Sequence, residues 1–120
     1  MKNKTLILGA SENPSRYSYL ALNKLRSKGH EVVAIGKRAG MVNNVTIQTS
    51  QVPSDDIETV TLYLNPDHQK PYYDYILSLK PKRIIFNPGT ENRELERLAE
   101  GEGIDAIEAC TLVMLSTGQY

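Results

Sequence analysis

The residues able to do chemistry gather early in this chain. Gly9, Ala10, Ser11, Asn13 and Ser15 follow directly on the apolar run 5–8, and Tyr17, Leu20, Ala21 and Leu25 then recur at helical spacing as far as Arg26. A strand, a glycine turn and a helix in that order aim unpaired backbone N–H groups and the positive end of a helix dipole at one point, which attracts an anion, above all a phosphate. Gly9 stands where the chain must turn sharply off the strand. Pro14 suits the first turn of the helix and Ser15 its cap. The dinucleotide fingerprint G-x-G-x-x-G is met only at its first glycine, because Ser11 and Pro14 occupy the other two positions. Serine offers a phosphate a hydroxyl where glycine would only permit close approach. A tight βα turn without a ligand is the alternative.

A second apolar run, 31–35, ends in Gly36, Lys37 and Arg38. In an NAD-binding domain this strand end presents an acidic side chain to the adenosine ribose. Two cations attract a ribose phosphate instead. The expected ligand is therefore an adenosine with an additional phosphate, as in coenzyme A or NADP.

Composition agrees with a small anionic ligand. The chain has 120 residues, 40% of them hydrophobic and 23% charged, which suits one globular domain spanning 1–120. Its net charge is zero, but residues 1–40 hold eight Lys/Arg against two Glu, a net of +6, and residues 41–120 hold six against twelve Asp/Glu, a net of −6. The basic part contains the loop, while the domain as a whole lacks the excess that a nucleic-acid surface needs. One cysteine, Cys110, excludes an internal disulfide, and no apolar run reaches membrane length. No signal peptide is evident, so a cytoplasmic protein is expected.

The elements that must position these residues alternate between β and α. Strands are expected at 5–8, 31–35, 60–64, 82–86 and 104–109. Helices are expected after Ser15, after Asp67 as cap and running to about Leu79, and after Thr90 as cap. Gly29, Gly101 and Gly103 suit helix ends. Residues 39–56 read as mostly loop, with a short alternating piece at 45–47, and 112–115 as a last apolar turn packed on the sheet. The pattern predicts a single-domain α/β protein: a Rossmann-like, doubly wound parallel sheet of about five strands in a three-layer α/β/α arrangement, in the order 3-2-1-4-5. Ligands of such sheets bind at the carboxyl edge, where the turns at 9–16, 36–38, Asn65-Pro66 and 87–90 meet.

The stretch GASENPSRYSYLALNKLRSKGHEVVAIG, together with Asn65-Pro66 and the turn from Asn87 to Asn92, resembles the small single-domain CoA-binding proteins related to the nucleotide-binding domain of the succinyl-CoA synthetase α subunit. The resemblance implies a phosphate loop of Gly9, Ala10, Ser11, Asn13 and Ser15, with Arg16 at its end. It also implies that Lys37 or Arg38 meets the 3′-phosphate, that Leu64, Asn65 and Pro66 flank the adenine or pantetheine, and that Gly89 allows close approach. Two features depart from the family: Gly36-Lys37 stands where Asn-Pro is common after the second strand, and Cys110-Thr111-Leu112 replaces a Cys-Pro-Lys-like ending.

Catalytic constellations are sparse. His30 precedes the second strand, away from the ligand edge, and His68 lies on that edge without a nucleophile beside it. Cys110 reads as a small buried hydrophobe, Tyr72, Tyr73 and Tyr75 as packing residues, and no metal-ligand spacing is present. The synthetase's phosphohistidine chemistry needs a further domain and a second subunit. The expectation is a binding module for coenzyme A or an acyl-CoA rather than a complete enzyme. It would bind neither nucleic acid nor membrane, and a sheet edge or helix pair is available for a homodimer or partner protein. The alternatives are the NADP-binding domain of a reductase and an interaction domain without a ligand.

Overall fold

The computed structural model describes residues 4–120. Alternating short apolar runs and amphipathic segments build β1 (Lys4–Ala10), α1 (Tyr17–Ser27), β2 (Glu31–Gly36), β3 (Gly40–Val42), β4 (Val45–Gln48), β5 (Ile57–Leu62), α2 (Pro66–Gln69), a 3-10 turn (Lys70–Tyr72), α3 (Tyr73–Ser78), β6 (Arg83–Phe86), α4 (Arg93–Gly101), β7 (Asp105–Glu108) and α5 (Thr111–Thr117). Among the described residues, one seven-stranded sheet runs β3-β4-β2-β1-β5-β6-β7, parallel except for the β3-β4 pair. The result is a single α/β domain of Rossmann-like architecture, as expected, but with more strands.

The extra strands come from the segment read as loop. Val42, Val45 and Ile47 alternate with exposed residues and are buried, and between them Asn43 and Asn44 both take positive φ, 50° and 63°. That is the conformation of a two-residue hairpin turn, for which asparagine is well suited. The hairpin occupies the place beside β2. The strand expected third therefore lies beside β1, pairing Leu6 with Val60 and Leu8 with Leu62, which corrects the order 3-2-1-4-5. This strand also ends at Leu62, so Tyr63 and Leu64 belong to the turn after it.

Side chains of the central strands alternate between two buried layers. Leu6, Leu8, Val60, Leu62, Ile84 and Phe86 meet Ile76 of α3 and Leu95 of α4 on one face. Ile7, Ala34 and Ile47 meet Leu22 and Leu25 of α1 and Leu115 of α5 on the other. Each fully buried Leu, Ile, Val or Phe among them contributes roughly 1.5–3 kcal/mol.

Helix starts differ from expectation in ways that hydrogen bonding explains. Arg16, not Ser15, is the N-cap of α1, and the face of α1 that is buried carries Ser18, Ala21, Leu22 and Leu25, leaving Tyr17 and Leu20 exposed. Asn65 rather than Asp67 caps α2, its side chain accepting from the His68 N–H, and Pro66 is the first helical residue, where a missing N–H costs nothing. Asn92 rather than Thr90 caps α4 by accepting from the Leu95 N–H, while the Thr90 hydroxyl donates to the Asn87 carbonyl. The single helix expected from Asp67 to Leu79 is broken by the 3-10 turn around Pro71.

Candidate functional site

The topology sends the carboxyl ends of β1, β2, β5 and β6 to one edge of the sheet, where the turns that follow them enclose a cleft of about 960 Å³. This is near the upper end of the range for small-molecule sites. Of the twelve residues singled out in the sequence, eleven line it: Gly9, Ala10, Ser11, Asn13, Ser15, Arg16, Lys37, Arg38, Leu64, Asn65 and Gly89. Pro66 does not, being committed to the start of α2.

The 9–16 loop is built by its own polar side chains. Ser11 Oγ accepts from the Asn13 N–H at 3.0 Å, and Asn13 Oδ1 accepts from both the N–H and the hydroxyl of Ser15, at 3.0 and 2.8 Å. These acceptors are spent inside the loop. The Ser11 hydroxyl proton and the Asn13 Nδ2 protons remain as donors. Gly9, at φ +100°, begins the turn with the Tyr63 backbone 3.0 Å from where a Cβ would stand, so this position needs glycine for both conformation and space. Gly36 meets a different constraint, because a Cβ there would be driven into the Ala10 carbonyl oxygen.

Two features of the cleft favour an anion. No side chain caps the first turn of α1 and no acidic residue stands in it, and its first two residues, Tyr17 and Ser18, line the cleft. The Tyr19 N–H is bonded to the Arg16 carbonyl at 3.1 Å, so the amides of Tyr17 and Ser18, with the helix dipole behind them, are what this end of α1 offers the cavity. Arg16, Lys37 and Arg38 share the same wall, and among the described residues none of them forms an ion pair.

The remaining lining residues were not named as ligand contacts, although Glu12, Pro88 and Thr90 lie in turns expected at this edge. Ser18 could have been found by following the helix into its first turn. Tyr63 was hidden by extending the third strand through Leu64, and Pro88 and Thr90 by giving weight only to the glycine between them. His68 is exposed on the cleft rim, on the edge expected for it. Tyr63 is mostly buried, its hydroxyl has no hydrogen-bond partner among the described residues, and burial pushes the phenol up to about 12, with the nearby Thr61 and Thr111 hydroxyls offsetting part of the effect. Those two hydroxyls bond each other at 2.8 Å, and Thr61 also accepts from Asn87 Nδ2 at 2.7 Å.

Other reactive groups lie elsewhere. Cys110 is half-buried at the N-cap of α5 and does not line the cleft, and the His30 ring packs edge-on against Tyr120 with centroids 5.0 Å apart. Among the described residues no group of three or more His, Cys, Asp or Glu is placed to hold a metal ion, and no helix is long and apolar enough to cross a membrane.

Solved structures share this architecture over almost the whole chain. A crystal structure of an uncharacterised protein is 51% identical and superposes with a TM-score of 0.96, covering 100% of this chain and 99% of its own. A conserved hypothetical protein from Pyrococcus furiosus is 25% identical with a TM-score of 0.80, covering 92% of this chain and 97% of its own. A hypothetical protein from Pyrococcus horikoshii OT3 has a TM-score of 0.87 at 23% identity, with 97% and 83% covered, a likeness of fold alone. No curated protein matches at a significant level. The sequence itself matches the family described as CoA binding domain over residues 3–116. With the match spanning nearly the entire domain whose carboxyl edge forms the cleft, this chain belongs to the CoA-binding domain family.

Proposed function

We propose that the chain is a stand-alone binding module for coenzyme A or an acyl-CoA, acting in the cytoplasm, with the cleft at the carboxyl edge of the sheet as its site. One observation carries this reading: the first turn of α1, which no side chain caps, and the cations Lys37 and Arg38, which form no ion pair among the described residues, line the same cavity. A ligand with phosphates at two separated points uses both. In this reading the Tyr17 and Ser18 amides, the Ser11 hydroxyl and Asn13 Nδ2 donate to pyrophosphate oxygens, and Lys37 and Arg38 attract the 3′-phosphate. Leu64, Asn65 and Gly89 then border the path of the adenine and pantetheine. Coenzyme A supplies the thiol or thioester that such a module carries, and the chain's own residues bind and orient it.

The test is a thermal-shift titration of the wild type and of a Lys37→Ala/Arg38→Ala variant with CoA, dephospho-CoA, NADP and NAD at equal concentrations. A ligand that binds the native state raises Tm by mass action. Wild type should be stabilised most by CoA, and the variant should lose the margin of CoA over dephospho-CoA. Equal losses for both ligands would count against the phosphate assignment. Stabilisation by NADP above CoA would move the protein to the reductase class.

A further inference from the structure

Among the described residues Glu12 is the single acidic side chain lining the cleft, in the loop read as receiving phosphates. A carboxylate there opposes an anionic ligand, yet it does not neutralise the neighbouring cations: among the described residues Glu12 forms no ion pair with Arg16, Lys37 or Arg38. Its observed partner is backbone. Glu12 Oε2 accepts a 2.9 Å hydrogen bond from the Met41 N–H, in the edge strand β3. Gly40 makes room for this contact. A Cβ at Gly40 would run into the Glu12 carboxyl carbon and stand 2.6 Å from both its oxygens. Gly40 is absent from the positive-φ residues, so space for Glu12 is what this glycine provides.

The arrangement ties down the basic pair. Lys37, Arg38 and Ala39 form the turn between Gly36 and Gly40. At one end Gly36 is registered with Ala10 and pressed against its carbonyl oxygen. At the other end Met41 is bonded to Glu12. The two anchors are Ala10, the last residue of β1, and Glu12 in the loop that follows it. A turn of three residues held at both ends has few conformations, and the separation between its cations and the loop is thereby restricted.

We propose that Glu12 is a positioning residue for ligand selection. Through the Met41 N–H it holds Lys37 and Arg38 at a set span from the 9–16 loop, so that the cleft prefers an adenosine diphosphate whose ribose carries a further phosphate. The inference rests on the CoA reading of the cleft and adds the device that enforces its selectivity. A carboxylate serves better than a neutral acceptor because its hydrogen bonds are stronger, but a Gln carbonyl oxygen fills the same place.

The experiment compares wild type, E12Q, E12A and G40A by amide hydrogen exchange at Met41 and by calorimetric affinities for CoA and dephospho-CoA. E12A removes the acceptor, and G40A displaces it while leaving Glu12 in the sequence. Both should speed Met41 exchange and lower the ratio of CoA to dephospho-CoA affinity roughly three- to ten-fold, the scale of one hydrogen bond. Dephospho-CoA, which lacks the 3′-phosphate, should respond less than CoA to E12A and G40A, and E12Q should keep most of the wild-type ratio. An unchanged ratio in E12A and G40A overturns the inference, and so does tighter CoA binding in both E12A and E12Q, which would mean simple repulsion. If wild type shows no preference for CoA while its Met41 amide is protected, the clamp exists and the reading of the basic pair has failed, taking the selective role with it.

Discussion

Gln69 Oε1 accepts a 2.9 Å hydrogen bond from Asn92 Nδ2, and these two buried carboxamides join the segments that follow the neighbouring strands β5 and β6. Gln69 Nε2 donates to the carbonyls of Leu64 and Thr90, each at 2.8 Å, and Asn92 Nδ2 also donates to the Tyr73 hydroxyl at 2.7 Å. Leu64 follows β5 and Thr90 follows β6, so one side chain bridges two strand ends that line the cleft. Replacing Gln69 with Leu keeps similar bulk but removes the donor to two carbonyls and one of the two acceptors of the Asn92 amide. The expected cost is about 2–4 kcal/mol, read by urea unfolding. A loss under about 0.5 kcal/mol would show that water replaces the network.

Tyr63 makes a pH prediction. Its folded pKa, about 12, lies above the ordinary value of 10.0, so the folded state holds the phenol proton more tightly than the unfolded chain does. The stability tied to it is complete below pH 10 and is lost as pH rises towards 12. Burial also raises Tyr120, Tyr75 and Tyr73, which act in the same direction. Tyr63→Phe should leave stability at pH 7 within about 0.5 kcal/mol, since among the described residues the hydroxyl has no partner within hydrogen-bond geometry and the Thr61 and Thr111 hydroxyls are already bonded to each other. It should also make the alkaline decline shallower. An undiminished slope between pH 10 and 12 in this variant would assign the effect to the other tyrosines.

Gly36→Ala tests the close approach of β2 to β1. The obstructing atom is the Ala10 carbonyl oxygen, part of the backbone, with Ile47 Cγ2 3.0 Å away on the hairpin side. Neither neighbour can swing clear as a surface side chain does. Overpacking of this kind costs about 1–3 kcal/mol, measurable as a lowered urea midpoint with an unchanged slope. A midpoint equal to that of wild type would show that the two strands separate freely at this point.

Salt should separate the two anion-attracting features. Raising ionic strength from about 0.01 M to about 1 M shortens the screening length from roughly 30 Å to 3 Å. The exposed cations Lys37 and Arg38 lose attraction under these conditions, whereas direct hydrogen bonds from the first turn of α1 persist. Wild-type affinity for CoA should therefore fall with salt, and Lys37→Ala/Arg38→Ala should show a flatter dependence. Parallel slopes in a calorimetric titration would remove the basic pair from the account.

The βα alternation, the glycine turn after the first strand and the cations after the second were legible in the sequence because each is local. A run such as 5–8 declares a buried strand by composition, Gly9 declares a sharp turn, and Lys37 and Arg38 declare a charge at a strand end. Those features, together with the resemblance that supplied Leu64, Asn65 and Gly89, named eleven of the lining residues, since a parallel sheet with helical crossovers delivers its strand ends to one edge. Asn43-Asn44 between Val42 and Val45 was also local evidence, for a hairpin, although the absence of helical period nearby favoured a loop.

Tertiary structure alone decided the rest. That Ile57–Leu62 lies beside β1, with the hairpin taking the far side of β2, depends on pairing between segments distant in the chain, and no periodicity encodes a neighbour. Asn65 and Asn92 cap helices where Asp67 and Thr90 were equally suitable by type, because the cap is chosen by which side chain reaches the first free N–H. The Gln69–Asn92 bridge and the Glu12–Met41 bond join residues 23 and 29 positions apart. In the sequence they are ordinary polar residues. The folded chain gives them their roles, because a hydrogen bond requires two atoms within about 3 Å, and only the three-dimensional path of the backbone brings these together.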